Sequence, residues 1–124
     1  MSQAPDHVFR ELRDREPIFH RPELGTSRRD FEEMTDRNFW EVVASGRVYS
    51  HSFVLEELER RHAAGPVEEN WQVEDCECTA LGDGVYLFTY QLNQGQRISR
   101  RATLWRRAGD GWKALYHQGT LVSS

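Results

Sequence analysis

No apolar run in this 124-residue sequence approaches the ~20 residues that a membrane-crossing helix needs, so no integral membrane protein is expected. Met1 to Asp14 lacks a hydrophobic segment ahead of a small-residue cleavage site, and a secretory signal is not expected either. Cysteine is scarce. Cys76 and Cys78 lie two apart, which on a strand puts both on one face. Zinc would need further ligands, yet His7, His20, His51, His62 and His117 show no HxH or HxxxH spacing, so no metal site is expected. Two half-buried thiols in a reducing compartment are the better reading, which places the protein in the cytoplasm. Lysine is almost missing: Lys113 stands against 15 arginines. The formal net charge is −4, and non-specific nucleic-acid affinity comes from clustered positive charge, so no nucleic-acid partner is expected. Arg97, Arg100, Arg101, Arg106, Arg107 and Lys113 do cluster, but across alternating strand faces and not along one stripe. There is no GxSxG elbow, no GxxxxGK[ST] phosphate loop and no GxGxxG dinucleotide turn, so no cofactor is expected.

What is present suffices for one domain over residues 1–124, with a core that needs no staples. The first half reads as helical. Asp6 can cap a helix bearing Val8, Phe9 and Leu12, ended near Glu16 by Pro17. After a loop at His20 to Gly25, a short helix starts at Thr26 or Ser27, with Phe31 and Met34 on one face. Asn38 to Ala44 is β-branched and aromatic and reads as the first strand, ended by Ser45-Gly46. Ser50 or Ser52 can cap a third helix, acidic early and basic late as the helix dipole prefers, ended by Gly65-Pro66.

Beyond residue 70, Gly82-Asp83-Gly84, Asn93-Gln94-Gly95 and Gly109-Asp110-Gly111 punctuate four long strands: Trp71 to Leu81, Val85 to Leu92, Gln96 to Arg107 and Trp112 to Val122. In the first of these the apolar positions change from odd to even near Glu74-Asp75, as a β-bulge would make them. The last strand carries large apolar residues in both alternating sets, which suggests helices on one face and a second copy of the chain on the other.

The local sequence adds a resemblance. Asn38-Phe39-Trp40-Glu41 with Ser45-Gly46-Arg47-Val48-Tyr49, then Arg101 to Arg107, then Gly111-Trp112 with His117-Gln118-Gly119-Thr120, resemble in order and spacing the D-F-x-E…S-G-R-x-Y, R-S-S-x-W-R-R and G-W…H-Q-G-T stretches of a bacterial branch of the nuclear transport factor 2-like superfamily, the domain-of-unknown-function 4440 group. The likeness runs from about Val8 to Val122, with Asn38 in place of the usual Asp and Ala102-Thr103 in place of Ser-Ser. It implies an α+β, cystatin-like cone: three N-terminal helices packed into a strongly curved, mostly antiparallel sheet, with a pocket at the open end and commonly a homodimer. Relatives include isomerases, cyclases, dehydratases, binders and non-catalytic transport or assembly domains, so the fold assigns no reaction.

Glu41 shares its strand face with Phe39 and Val43, where a carboxylate must find a partner or shift its pKa. It is a candidate general base or ligand acceptor, or else the partner of an arginine in the meander. Arg101, Thr103 and Trp105 alternate on one face, a platform for a carboxylate or an aromatic ring, with Arg101 neutralising Glu41 as the structural alternative. His117 is the candidate proton shuttle. Tyr90 and Tyr116 are candidate oxyanion donors or ordinary packing. Two functions fit: a small-molecule-binding protein, with cofactor-free acid–base chemistry through Glu41 and His117 and a pocket of Tyr90, Arg101, Trp105 and Tyr116; or a non-catalytic dimerisation or interaction domain working through its outer sheet face.

Overall fold

A computed structural model of the chain describes residues 2–65 and 70–122. The end of the third helix at Gly65-Pro66 therefore falls partly outside the described residues.

Local chemistry accounts for the elements of the first half. After a two-residue strand, β1 (Ser2–Gln3), helix α1 runs Asp6–Arg13 and buries Val8 and Leu12. Its N-cap is Pro5 and not Asp6; Asp6 sits inside the first turn, where its charge complements the helix dipole. A single 3₁₀ turn, Pro22–Leu24, leads to α2 (Arg28–Glu33). There Ser27 and Asp30 form a reciprocal capping box. Strand β2 spans Thr35–Val42, starting earlier than its β-branched segment suggests. A turn at Ser45-Gly46 returns the chain into β3 (Val48–Ser50), a three-residue edge strand that the sequence pattern is too short to reveal. Ser50 then caps α3 (His51–Ala63), whose buried face is Val54, Leu55 and Leu58.

Strands β4 (Gln72–Gly82), β5 (Val85–Gln94), β6 (Arg97–Ala108) and β7 (Gly111–Leu121) form the expected meander. The seven-stranded sheet has the order β1-β4-β5-β6-β7-β2-β3 and is antiparallel except where β2 lies parallel to β7. Helix residues Val8, Leu12, Phe31, Val54, Leu55 and Leu58 meet Phe39, Phe88, Tyr90, Leu92, Trp105 and Trp112 of one sheet face in a single core.

Two bulges set which side chains face that core. In β4 the register slips between Glu74 and Glu77, with Asp75 at φ +54°, so the inner set passes from odd positions to Cys76 and Cys78. In β7 the pairing passes from Trp105↔Ala114 to Leu104↔Tyr116, leaving Leu115 as the extra residue. Trp112 and Ala114 are thus inside before the bulge, and His117 and Gly119 after it. This corrects the reading of the last strand: its two apolar sets record a phase change and not two covered faces.

Candidate functional site

A cavity of about 270 Å³ opens between α3, the loop after α1 and the sheet ends of β2, β6 and β7. Its apolar wall comes from Ile18, Phe19, Val42, Val43, Tyr49, Val54 and Leu58. Phe19 is held in the left-handed region at φ +71°, edge-on to both Phe31 and Phe39 at 5.8 Å. Phe19 is thus backed by two further rings that lie behind the cavity wall.

Polar groups converge from three strands. β2 and β7 pair Glu41 with His117, and both point inward. His117 Nδ1 lies 3.1 Å from Glu41 Oε2, with side-chain exposures of 6% and 14%. The other ring nitrogen, Nε2, is buried and has no partner. β6 contributes Arg97, Ser99 and Arg101, which alternate onto the cavity face. Arg101 Nε donates to Ser99 Oγ at 3.2 Å and does not pair with Glu41. Arg101 lies over Gly119, its register partner: a Cβ there would sit 3.7 Å from Arg101 Nε and 3.9 Å from His117 Cε1. Arg101 and His117 thus flank the same glycine, at ordinary contact distance from where its side chain would begin. Arg61, Glu57 and His20 complete the polar wall. Glu57 pairs with Arg60. Among the described residues, no carboxylate lies within ion-pair distance of Arg61, Arg97 or Arg101.

Of the six residues singled out in the sequence, Glu41, His117 and Arg101 line this cavity and the other three do not. Tyr116 projects from the opposite sheet face, its ring 4.5 Å from that of Trp40. Tyr90 and Trp105 are buried behind the cavity, where both donate to a residue the sequence reading missed. Glu16, fully buried, accepts at Oε1 from Tyr90 Oη (3.0 Å) and the Ile18 N–H (2.9 Å), and at Oε2 from Trp105 Nε1 (3.0 Å). Burial pushes its carboxyl above the usual range, against the opposing pull of His117 and these donors. Burial and the Glu16 charge together push the Tyr90 phenol well up. Thr103 lies against the same carboxylate, yet its buried Oγ1 makes no bond of proper geometry. The sequence signal for Glu16 was its setting: a carboxylate followed directly by Pro17-Ile18-Phe19 must be bonded if that apolar loop is buried.

A larger recess of about 580 Å³ lies between the N-terminal arm and β4. It holds Cys76 and Cys78 but no arginine or histidine, and burial pushes the Cys78 thiol up to about 11, so neither anion binding nor thiolate chemistry is at hand there. Among the described residues no group of three or more His, Cys, Asp or Glu is placed to hold a metal.

Solved structures of the same architecture are numerous. A nuclear transport factor 2-like protein from Cytophaga hutchinsonii superposes with a TM-score of 0.71 at 9% identity, covering 94% of this chain and 97% of that one. The chain has the nuclear transport factor 2-like fold. A nuclear transport factor 2-like protein of unknown function in nutrient uptake from Rhodospirillum rubrum superposes with a TM-score of 0.68 at 16% identity, covering 97% of this chain and all of the other (100%). A protein with a cystatin-like fold from Caulobacter vibrioides gives 0.68 at 12% identity, over 95% and 89% of the two chains. No protein-family model and no curated protein matches the sequence. At these identities the nuclear transport factor 2-like likeness concerns the fold alone, so function must be argued from the cavity.

Proposed function

We propose that this protein binds a small organic acid with a partly apolar body in the cavity between α3 and the sheet. One observation carries the reading: three arginines that line the cavity, Arg61 from α3 and Arg97 and Arg101 from β6, have no carboxylate partner among the described residues, while the cavity's own acids are engaged, Glu41 by His117 and Glu57 by Arg60. A guanidinium without a carboxylate partner recruits a planar anion through forked hydrogen bonds. Val42, Val43, Tyr49 and Phe19 supply the apolar contact. The volume falls below the ~300–1,000 Å³ of drug-sized sites, which suits a small metabolite. Glu41 and His117 line the cavity as the proton-handling pair for cofactor-free isomerisation, dehydration, cyclisation or hydrolysis, and the three sequence stretches support a place in the domain-of-unknown-function 4440 branch.

Native mass spectrometry of the protein as purified tests the reading, together with thermal shifts against small carboxylic acids. A bound organic acid, and stabilisation that Arg101→Gln removes, is the expected result. No stabilisation by any small carboxylate at millimolar concentration would overturn it.

A second role is favoured by a separate observation. Trp40, 45% exposed, packs its ring at a tilt against Tyr116 on the outer sheet face. This pair supports homodimerisation through that face, the surface an interaction domain would use. Two free cysteines fit a reducing, cytoplasmic setting. Among the described residues no helix is long and apolar enough to cross a membrane.

A further inference from the structure

The three unpaired arginines are not equivalent. Arg101 is partly buried, tied to Ser99 and laid over Gly119 next to His117. Arg97 and Arg61 are exposed. Arg97 stands opposite Gln94 at the turn end of β6, so it marks the cavity's mouth. Arg97, Ser99 and Arg101 all face the cavity from one strand, and four residues of strand put the two arginine Cα atoms roughly 13 Å apart. The cavity therefore has two cationic stations, one deep and one at the mouth. The lining also has an apolar part, with Val42, Val43 and Tyr49 from the β2–β3 side of the sheet. Two further polar atoms of the wall are buried without partners, His117 Nε2 beside the deep station and Gln94 Oε1 beside the outer one. A single carboxylate satisfies one station and leaves the other unpaired.

We propose that the ligand is a short-chain dicarboxylate bound lengthwise, one carboxylate forked on Arg101 at depth and the other on Arg97 and Arg61 at the mouth. This deepens the organic-acid reading and rests on it. The chain between the carboxylates lies along Val42, Val43 and Tyr49, where a third charged group would be desolvated without a partner.

The test is calorimetric titration with butanedioate, pentanedioate and hexanedioate against the monocarboxylates butanoate, pentanoate and hexanoate. At least one dicarboxylate should bind about tenfold or more tightly than the monocarboxylate of its chain length, the yield of a second charge-assisted contact. Arg97→Ala, a change at an exposed position, should weaken the dicarboxylate far more than the monocarboxylate and so bring the two series close together. Arg101→Gln should weaken both. Equal affinities for the two series, or a dicarboxylate preference that survives both Arg97→Ala and the double change with Arg61→Ala, would overturn the two-station proposal while leaving the organic-acid reading intact. Binding of neither series would overturn both.

Discussion

Glu16 shows how much one side chain can hold. Three donors from three places, the Ile18 amide, the Tyr90 hydroxyl and the Trp105 indole, end on its two oxygens. Glu16→Ala strands all three in the core and should cost about 2–4 kcal/mol in urea denaturation, whereas Glu16→Gln keeps an acceptor oxygen and should cost less. The pH dependence separates Glu16 from the surface acids. Its folded carboxyl is raised above 4.5, so above that pH the folded state holds more protons than the unfolded one. Its stabilisation is complete below 4.5 and is lost as pH rises through the folded value. Glu11, bonded by Arg107, and Asp36, bonded by the Asn38 N–H, are lowered instead. Their contributions are present above the ordinary values of 4.5 and 3.8 and are lost as pH falls through the folded ones. Stability measured against pH should thus peak on the acid side of neutrality, and Glu16→Gln should flatten the alkaline flank of that curve. An unchanged flank would mean that another group carries it.

Among the elements, the six-residue α2 is the most dependent on its cap, because it is too short to be stable alone. Ser27→Ala removes one half of the capping box and should cost about 1 kcal/mol, read as a lower midpoint in a denaturant titration. Ser27 and Ser50 were both legible as caps, since a short hydroxyl ahead of an apolar-periodic segment has few other uses. The meander was legible because glycine turns separate its strands, and the bulge at Asp75 because the apolar phase changes there. The same kind of phase change at Leu115 was misread as a two-sided strand: with apolar residues on either side of the slip, alternation alone cannot tell a bulge from two buried faces. β1 is set by pairing with the distant β4 and β3 by a turn back onto β2, and neither leaves a pattern in three residues or fewer. Site residues followed the same division. Glu41, Arg101 and His117 sat in long strands whose facing could be counted, while Glu16 lies in an irregular loop whose burial only the tertiary fold decides.

For the whole molecule, correcting the reading of β7 changes what a dimer would rest on. On the outer face a dimer would rest on the Trp40–Tyr116 pair, exposed at Trp40 and half-buried at Tyr116, and not on a second apolar set in the last strand. Trp40→Glu should turn a sedimenting dimer into a monomer at tens of micromolar (roughly the range in which weak association is lost) without lowering carboxylate affinity. A wild-type monomer under those conditions would remove the dimer from the account. The parallel contact of β2 with β7 bears on the order of assembly. Every other long pairing in the sheet joins consecutive strands through a hairpin, but Glu41 and His117 are 76 residues apart in the chain. Contacts of such separation form late, because the entropy of closing the intervening chain is lost before the contact returns anything. The meander can exist before the cavity does. Amides of β2 should exchange with solvent sooner than those of β5, and a bound acid, gripping residues on both sides of that seam, should slow β2 more than any other strand. Ligand affinity and the completion of folding are, in this chain, measured at the same joint.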